Sequence, residues 1–344
     1  MKYSIVLALA IACIGCKSKE KVEPFNTNEV FVAIDQNLIT YRANEFHQKC
    51  IALQSVCESY LKGNNSINDI QKSWKEALDT WSYLELYNMY SIQDDFIQNR
   101  IAKAPINSNF VEAYINDSSL TFNSDFINTI GSTSKGLFCV EYLLYENAER
   151  LVGNEQRHNY LQALCDNLVS ESEELETMWL ADSPSYQANL TSGVSSSLNT
   201  TLNQMISLIE KMIYVKHGPV EFDTLQYAAY RSRSSLAILK ANLKSIRATF
   251  QGDTLGGVSL GIDDMLIYHD ASYEGEALTT KILNLLDELD TNTSLYVSLE
   301  SSVSEQSALR AEVYEDLKLL LLLFKGPVIT ALDATLSVSD NDGD

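Results

Sequence analysis

Apolar residues recur along this chain every three to four positions, in long blocks. Val30, Ile34, Leu38 and Tyr41, then Cys50, Leu53, Cys57 and Tyr60 or Leu61, keep that spacing and predict a helix over 29–61. Gly63-Asn64-Asn65-Ser66 stops it. A second helix over 67–90 carries Ile70, Trp74, Ala77, Trp81 and Leu84 in one stripe, with Glu85 and Asn88 at its edge. Residues 94–128, with Pro105 and many Asn, Asp and Ser, predict loops and short helices, and so long a connection is often functional. Amphipathic spacing returns over 156–179, with Leu164, Leu168, Leu175 and Trp179 inward and Glu171, Glu173, Glu174 and Glu176 as a solvated face. Asp182-Ser183-Pro184-Ser185 reads as its break. A second set follows: Leu198 to Ile213, closing near Lys216-His217-Gly218-Pro219, where His217 reads as a partner of the helix dipole; Leu236 to Phe250; Leu278 to Leu289; and Leu309 to Phe324. No useful run alternates with period two. The predicted fold class is all-α, two packed helical bundles, divided as 29–192 and 193–344.

One stretch departs from amphipathicity. Gly136-Leu137-Phe138-Cys139-Val140-Glu141-Tyr142-Leu143-Leu144-Tyr145 is apolar on nearly every side, so it predicts a buried helix, following the polar entry 131–135. Glu141 sits inside it. A buried carboxylate must find a donor, a cation or a proton. Phe138, Glu141, Tyr142 and Tyr145 share one helical face. Two readings stand: a core helix whose acid bonds a neighbour, or a ligand or metal site.

Composition narrows the partners. Only 14 glycines and 5 prolines in 344 residues favour long helices. A net charge of −21, from 46 acids against 25 bases, argues against nucleic acid as a partner. Residues 1–16 read as a secretory leader: a basic Met1-Lys2, an apolar run too short to span a bilayer, then cysteines. Gly15-Cys16 resembles a bacterial lipobox, with Cys13 as the alternative acylation site, although neither has the usual Leu three residues before. Residues 17–28 then form a tether. Cys50 and Cys57, about 10 Å apart by helical rise, are too far apart to pair. Cys139 with Cys165 is left open.

Gly136-x-Phe138-x-x-Glu141-Tyr142-Leu143-Leu144 resembles the GxHxxE segment of the imelysin family, with Phe138 standing where the family has histidine. Trp74-x-x-Ala77-x-x-x-Trp81-x-x-x-Glu85 is similar to the family's early helix, whose acid approaches that segment. Tyr230-Arg231-Ser232-Arg233-Ser234-Ser235-Leu236, Phe250-Gln251-Gly252, Gly261-Ile262-Asp263-Asp264 and the acidic tail 336–344 are similar to later imelysin segments, in the same order. The resemblance implies two linked helical bundles, an envelope location, an association with iron or haem acquisition and a peptidase label. Iron or another divalent metal is the implied cofactor, but phenylalanine has no lone pair, and Glu141 alone remains as a motif ligand.

The residues themselves offer no catalytic set: no HExxH pair, no nucleophile elbow, and histidines 47, 158, 217 and 269 are scattered. The leading expectation is a lipid-anchored lipoprotein of the bacterial outer membrane, facing the periplasm or the cell surface. It would act as a non-catalytic component of iron or haem uptake beside outer-membrane uptake proteins. Its cleft would be lined by Glu85, Phe138, Glu141, Arg231, Ser232 and Ser235. The alternatives are a metallopeptidase with a rearranged site, drawing on Glu85, Glu141 and a distant His or Asp, and a structural envelope scaffold.

Overall fold

Helix ends in this chain are set by local side chains. Gly63, at φ +78°, ends the helix Tyr41–Leu61, here α1, after its last turn. Ser66 then opens α2 (Ile67–Leu84) with a capping box, its N–H donating to the Asp69 carboxylate at 2.8 Å. The computed structural model describes residues 25–146, 148–189, 193, 195–252 and 259–337. The expected leader with Cys13 and Cys16, most of the tether, Gly256-Gly257 and the tail beyond Ser337 lie outside the described residues.

The remaining long helices are α3 (Leu137–Tyr145), α4 (Glu155–Gln187), α5 (Ser197–Lys211), α6 (Ser235–Gln251), α7 (Leu278–Ser294) and α8 (Ser307–Leu323). In the first bundle α1 packs on both α2 and α4, and α3 inserts between α2 and α4. In the second, α7 packs on α6 and α8, and α5 packs on α8. The bundles meet where α6 lies on α2. Trp74, Phe46, Trp179 and Phe250 are fully buried along these contacts. Four short helices between Ser91 and Thr129 fill the region read as irregular. The only strands among the described residues are the two-residue pair Ser272–Tyr273 and Glu276–Ala277. No described helix is long and apolar enough to cross a membrane.

Four readings of the sequence change. The helix expected over 29–61 begins as Thr27–Ile34 and passes through a π-helical turn, Asp35–Thr40, before α1. Helix α4 does not break at Pro184 but continues to Gln187. Its last turns are held by the buried Asp35, which accepts from Trp179, Ser183 and Gln187. These bonds offset the backbone bond that proline lacks. Glu171 is buried rather than solvated, because Arg100 lies 2.7 Å from it and Asn167 donates to it. His217 is not a charged dipole partner. Burial, with Arg310 beside it, pushes its pKa down to about 3, and the neutral ring bonds Gly218 O and Tyr296 Oη. The cation at that helix end is Arg310, which donates to the carbonyls of His217, Gly218 and Pro219.

The four cysteines of the described residues are free and buried. Cys139 faces Tyr160, and Cys165 faces Cys57, so Cys139 and Cys165 do not pair. Burial pushes the Cys50 and Cys139 thiols up to about 12, consistent with inert core residues.

Candidate ligand cleft between the bundles

Gly136 decides where α3 starts. It adopts φ +81°, and a Cβ there would stand 2.4 Å from Ile101 O and 2.8 Å from Arg100 O. Only glycine tolerates both the conformation and the approach. Trp74 Nε1 then donates to Leu137 O at 2.8 Å, tying the first residue of α3 to α2. So placed, α3 presents Phe138 to a cavity of about 290 Å³ between the bundles.

The first bundle contributes Trp81, Glu85, Lys103 and Phe138 to its wall; the second contributes Lys211, Lys216, Tyr227 and Ser235. Glu85 follows the last residue of α2, in a short 3-10 turn rather than inside a longer helix. Its carboxylate lies 2.6 Å from Lys216 Nζ and accepts from Asn242 Nδ2 at 3.1 Å. Loss of hydration in the cleft lowers the Lys211 pKa; Glu85 pulls it back up and Lys216 pushes it down. A second cavity of about 200 Å³ shares Phe138 and Tyr227 with the first and is lined by Arg231. The Arg231 guanidinium stacks over the rings of Tyr230 and Tyr142 and pairs with Glu146 at 2.5 Å.

Glu141 does not line the cavity that Glu85 lines. It is fully buried and accepts the Ser232 N–H at 2.8 Å, while its Oε2 has no hydrogen-bond partner among the described residues. Burial raises its pKa to about 7, against the pull of the Ser232 hydroxyl and N–H and of Arg231. Ser232 turns its own hydroxyl to Ala229 O. Ser235, the first residue of α6, is buried, and its Oγ has no partner among the described residues.

The family model described as Imelysin, carrying a peptidase M75 label, matches residues 39–321. The chain belongs to the imelysin family. Two solved structures share its fold. An imelysin-like protein from Psychrobacter arcticum 273-4 has a TM-score of 0.72 at 13% identity, covering 90% of this chain and 97% of that one. A protein named as an iron-regulated protein A precursor, from Parabacteroides distasonis ATCC 8503, has a TM-score of 0.70 at 13% identity with the same coverage. No curated protein matches the sequence.

A divalent metal does not fit the residues of this imelysin's cleft. Phe138 offers no ligand. The Glu85 carboxylate is held by an ammonium and an amide. Lys103 and Lys211 add positive charge to the wall. None of the histidines lines either cavity, and no three His, Cys, Asp or Glu among the described residues stand together as a metal set.

Sequence reading missed Trp81 as a wall residue and missed all three lysines. Trp81 belongs to the core stripe of α2, and lysine in an amphipathic helix ordinarily signals a solvated face. The one available hint was Lys216, which directly precedes the helix-ending His217-Gly218-Pro219.

Proposed function

We propose that this imelysin is a non-catalytic, lipid-anchored binding component of iron or haem uptake at the bacterial outer membrane, facing the periplasm or the cell surface. Its ligand enters the cleft walled by Glu85, Phe138 and Ser235, with Arg231 in the adjoining cavity. Glu141 and Ser232 stand behind that wall and fix the helix that carries Phe138. Its protein partners are outer-membrane uptake proteins. The leader-like start with Gly15-Cys16 supports the anchor, and the name of the Parabacteroides neighbour supports the link to iron.

The observation that carries the non-catalytic reading is the pairing of Phe138 with a Glu85 already neutralised by Lys216. Zinc hydrolysis needs about three protein ligands and an open position, and this wall supplies no such set. Elemental analysis of the purified chain is expected to find far less than one iron or zinc per chain. Phe138→His combined with Lys216→Ala supplies an imidazole and frees Glu85, and is expected to raise zinc affinity at least about tenfold in calorimetric titration. Stoichiometric metal in the wild type overturns the reading. So does chelator-sensitive cleavage of a peptide library that disappears in Glu141→Ala.

A further inference from the structure

We propose that the cleft is an anion site whose ligand is a small organic acid, its carboxylate meeting the lysines and its apolar body lying on the aromatic wall. This rests on the cleft being the ligand site and adds what the ligand is.

The charge of the wall runs against that of the chain. The whole sequence carries −21, yet Lys103, Lys211 and Lys216 line the cavity against Glu85 as its one acid. Lys216 is matched to Glu85 at 2.6 Å. Lys103 and Lys211 make no salt bridge or hydrogen bond among the described residues, and Glu85 acts on Lys211 only at longer range, so three ammonium groups share one carboxylate. Exposed charges farther away than about 8–10 Å are largely screened at physiological salt, so the wall rather than the distant acids sets the field a bound ligand meets.

The neutral groups have the same bias. Trp81 Nε1 and Ser235 Oγ, on wall residues each 3% exposed, are covered and have no partner among the described residues, although nearly all buried polar groups in folded proteins have one. An indole N–H can only donate, and a serine hydroxyl can donate. Ser235 also begins α6, whose first turn favours negative charge. An incoming cation would find one acid, already taken; an incoming carboxylate finds the lysine ammonium groups.

The body of the ligand follows from the rest of the wall. Trp81, Phe138, Tyr227, Val215 and Ile238 would stay uncovered around an inorganic anion. A volume of about 290 Å³ suits a small molecule rather than a segment of protein.

The test is calorimetric titration of the full chain with aliphatic carboxylates from butyrate to decanoate, with benzoate and indole-3-acetate, with the neutral amides of the same acids, and with inorganic phosphate. At least one carboxylate is expected to bind one per chain, about tenfold or more tighter than its amide and than phosphate. Lys211→Gln is expected to weaken it about tenfold or more, and Lys103→Gln less, with the melting temperature of both variants unchanged. Amides binding as tightly as acids overturn the anion inference and leave the cleft reading standing, as does phosphate matching the best carboxylate. Carboxylate binding untouched by both lysine variants places the site elsewhere and overturns both. Absence of binding by every probe also overturns both.

Discussion

Two carboxylates of this molecule are equally hidden from water and differently served. Asp35 is 1% exposed and Glu141 0%. Asp35 Oδ1 accepts from Trp179 Nε1 at 2.7 Å and Thr40 Oγ1 at 2.8 Å, and its Oδ2 accepts from Ser183 and Gln187. Glu141 has the Ser232 N–H on one oxygen and, among the described residues, no hydrogen bond on the other. Burial is common to both, so burial does not separate them; the supply of donors does. An acid saturated with donors is a node of the fold, whereas an acid short of donors keeps its proton to higher pH. Glu141 is of the second kind, and it lies on the nine-residue helix that presents Phe138 to the cleft.

Asp35→Ala is the strongest test of this contrast. It strands the four donors at the end of α4 and at the π-helical turn, and is expected to destabilise the chain by about 3–5 kcal/mol in urea unfolding. A loss under about 1 kcal/mol would show that Asp35 is not a node.

Glu141 gives the next effect, in a pH window. Its folded pKa, about 7, stands above the ordinary 4.5, so the folded state binds the proton more tightly than the unfolded chain. Its contribution to stability is whole below about pH 4.5, falls as pH rises, and levels off above about 7. That gap corresponds to about 3 kcal/mol. Glu141→Gln keeps the oxygen that accepts from Ser232 and cannot ionise. Its stability relative to wild type is therefore expected to climb by about 3 kcal/mol from pH 4.5 to 7.5. A constant difference across that range would put the two acids in one class.

The smallest effect sharpens the contrast from the side of α3. Gly136→Ala forces a Cβ toward two backbone carbonyls at positive φ. It is expected to reduce stability by about 2 kcal/mol and to shift the pH dependence of Glu141, since the helix that carries the acid must move. A stability loss that leaves the pH profile in place would separate the position of α3 from the titration of Glu141.

The helices were legible because their signal is local. The stripe Ile70, Trp74, Ala77, Trp81 and Leu84 is the buried face of α2. The apolar run around Glu141 marked a buried acid for the same reason. What could not be read depends on partners distant in sequence. Pro184 is a breaker by its own chemistry, and the residue that holds the turns around it, Asp35, lies about 150 positions earlier. Glu171 is charged like its neighbours, and Arg100, distant in sequence, joins Asn167 in making it an interior residue. In the cleft, Glu85, Phe138 and Ser235 were picked out by resemblance, but the charge of the wall comes from lysines on separate elements that meet only after the bundles dock.

Glu85, Glu141 and Glu146 belong to the first half of the chain, and each reaches across to a group of the second: Lys216, the Ser232 N–H and Arg231. Acceptors stand on one side of the join and donors on the other, like the teeth of a key. A slip of one helical turn would leave every tooth facing the wrong notch. Buried and partly buried polar pairs such as these add little to the free energy of folding when set against a well-packed apolar substitute, but they discriminate between alignments. Greasy replacements at all three crossings would leave the halves adhering while they lost the instruction for which way to mate.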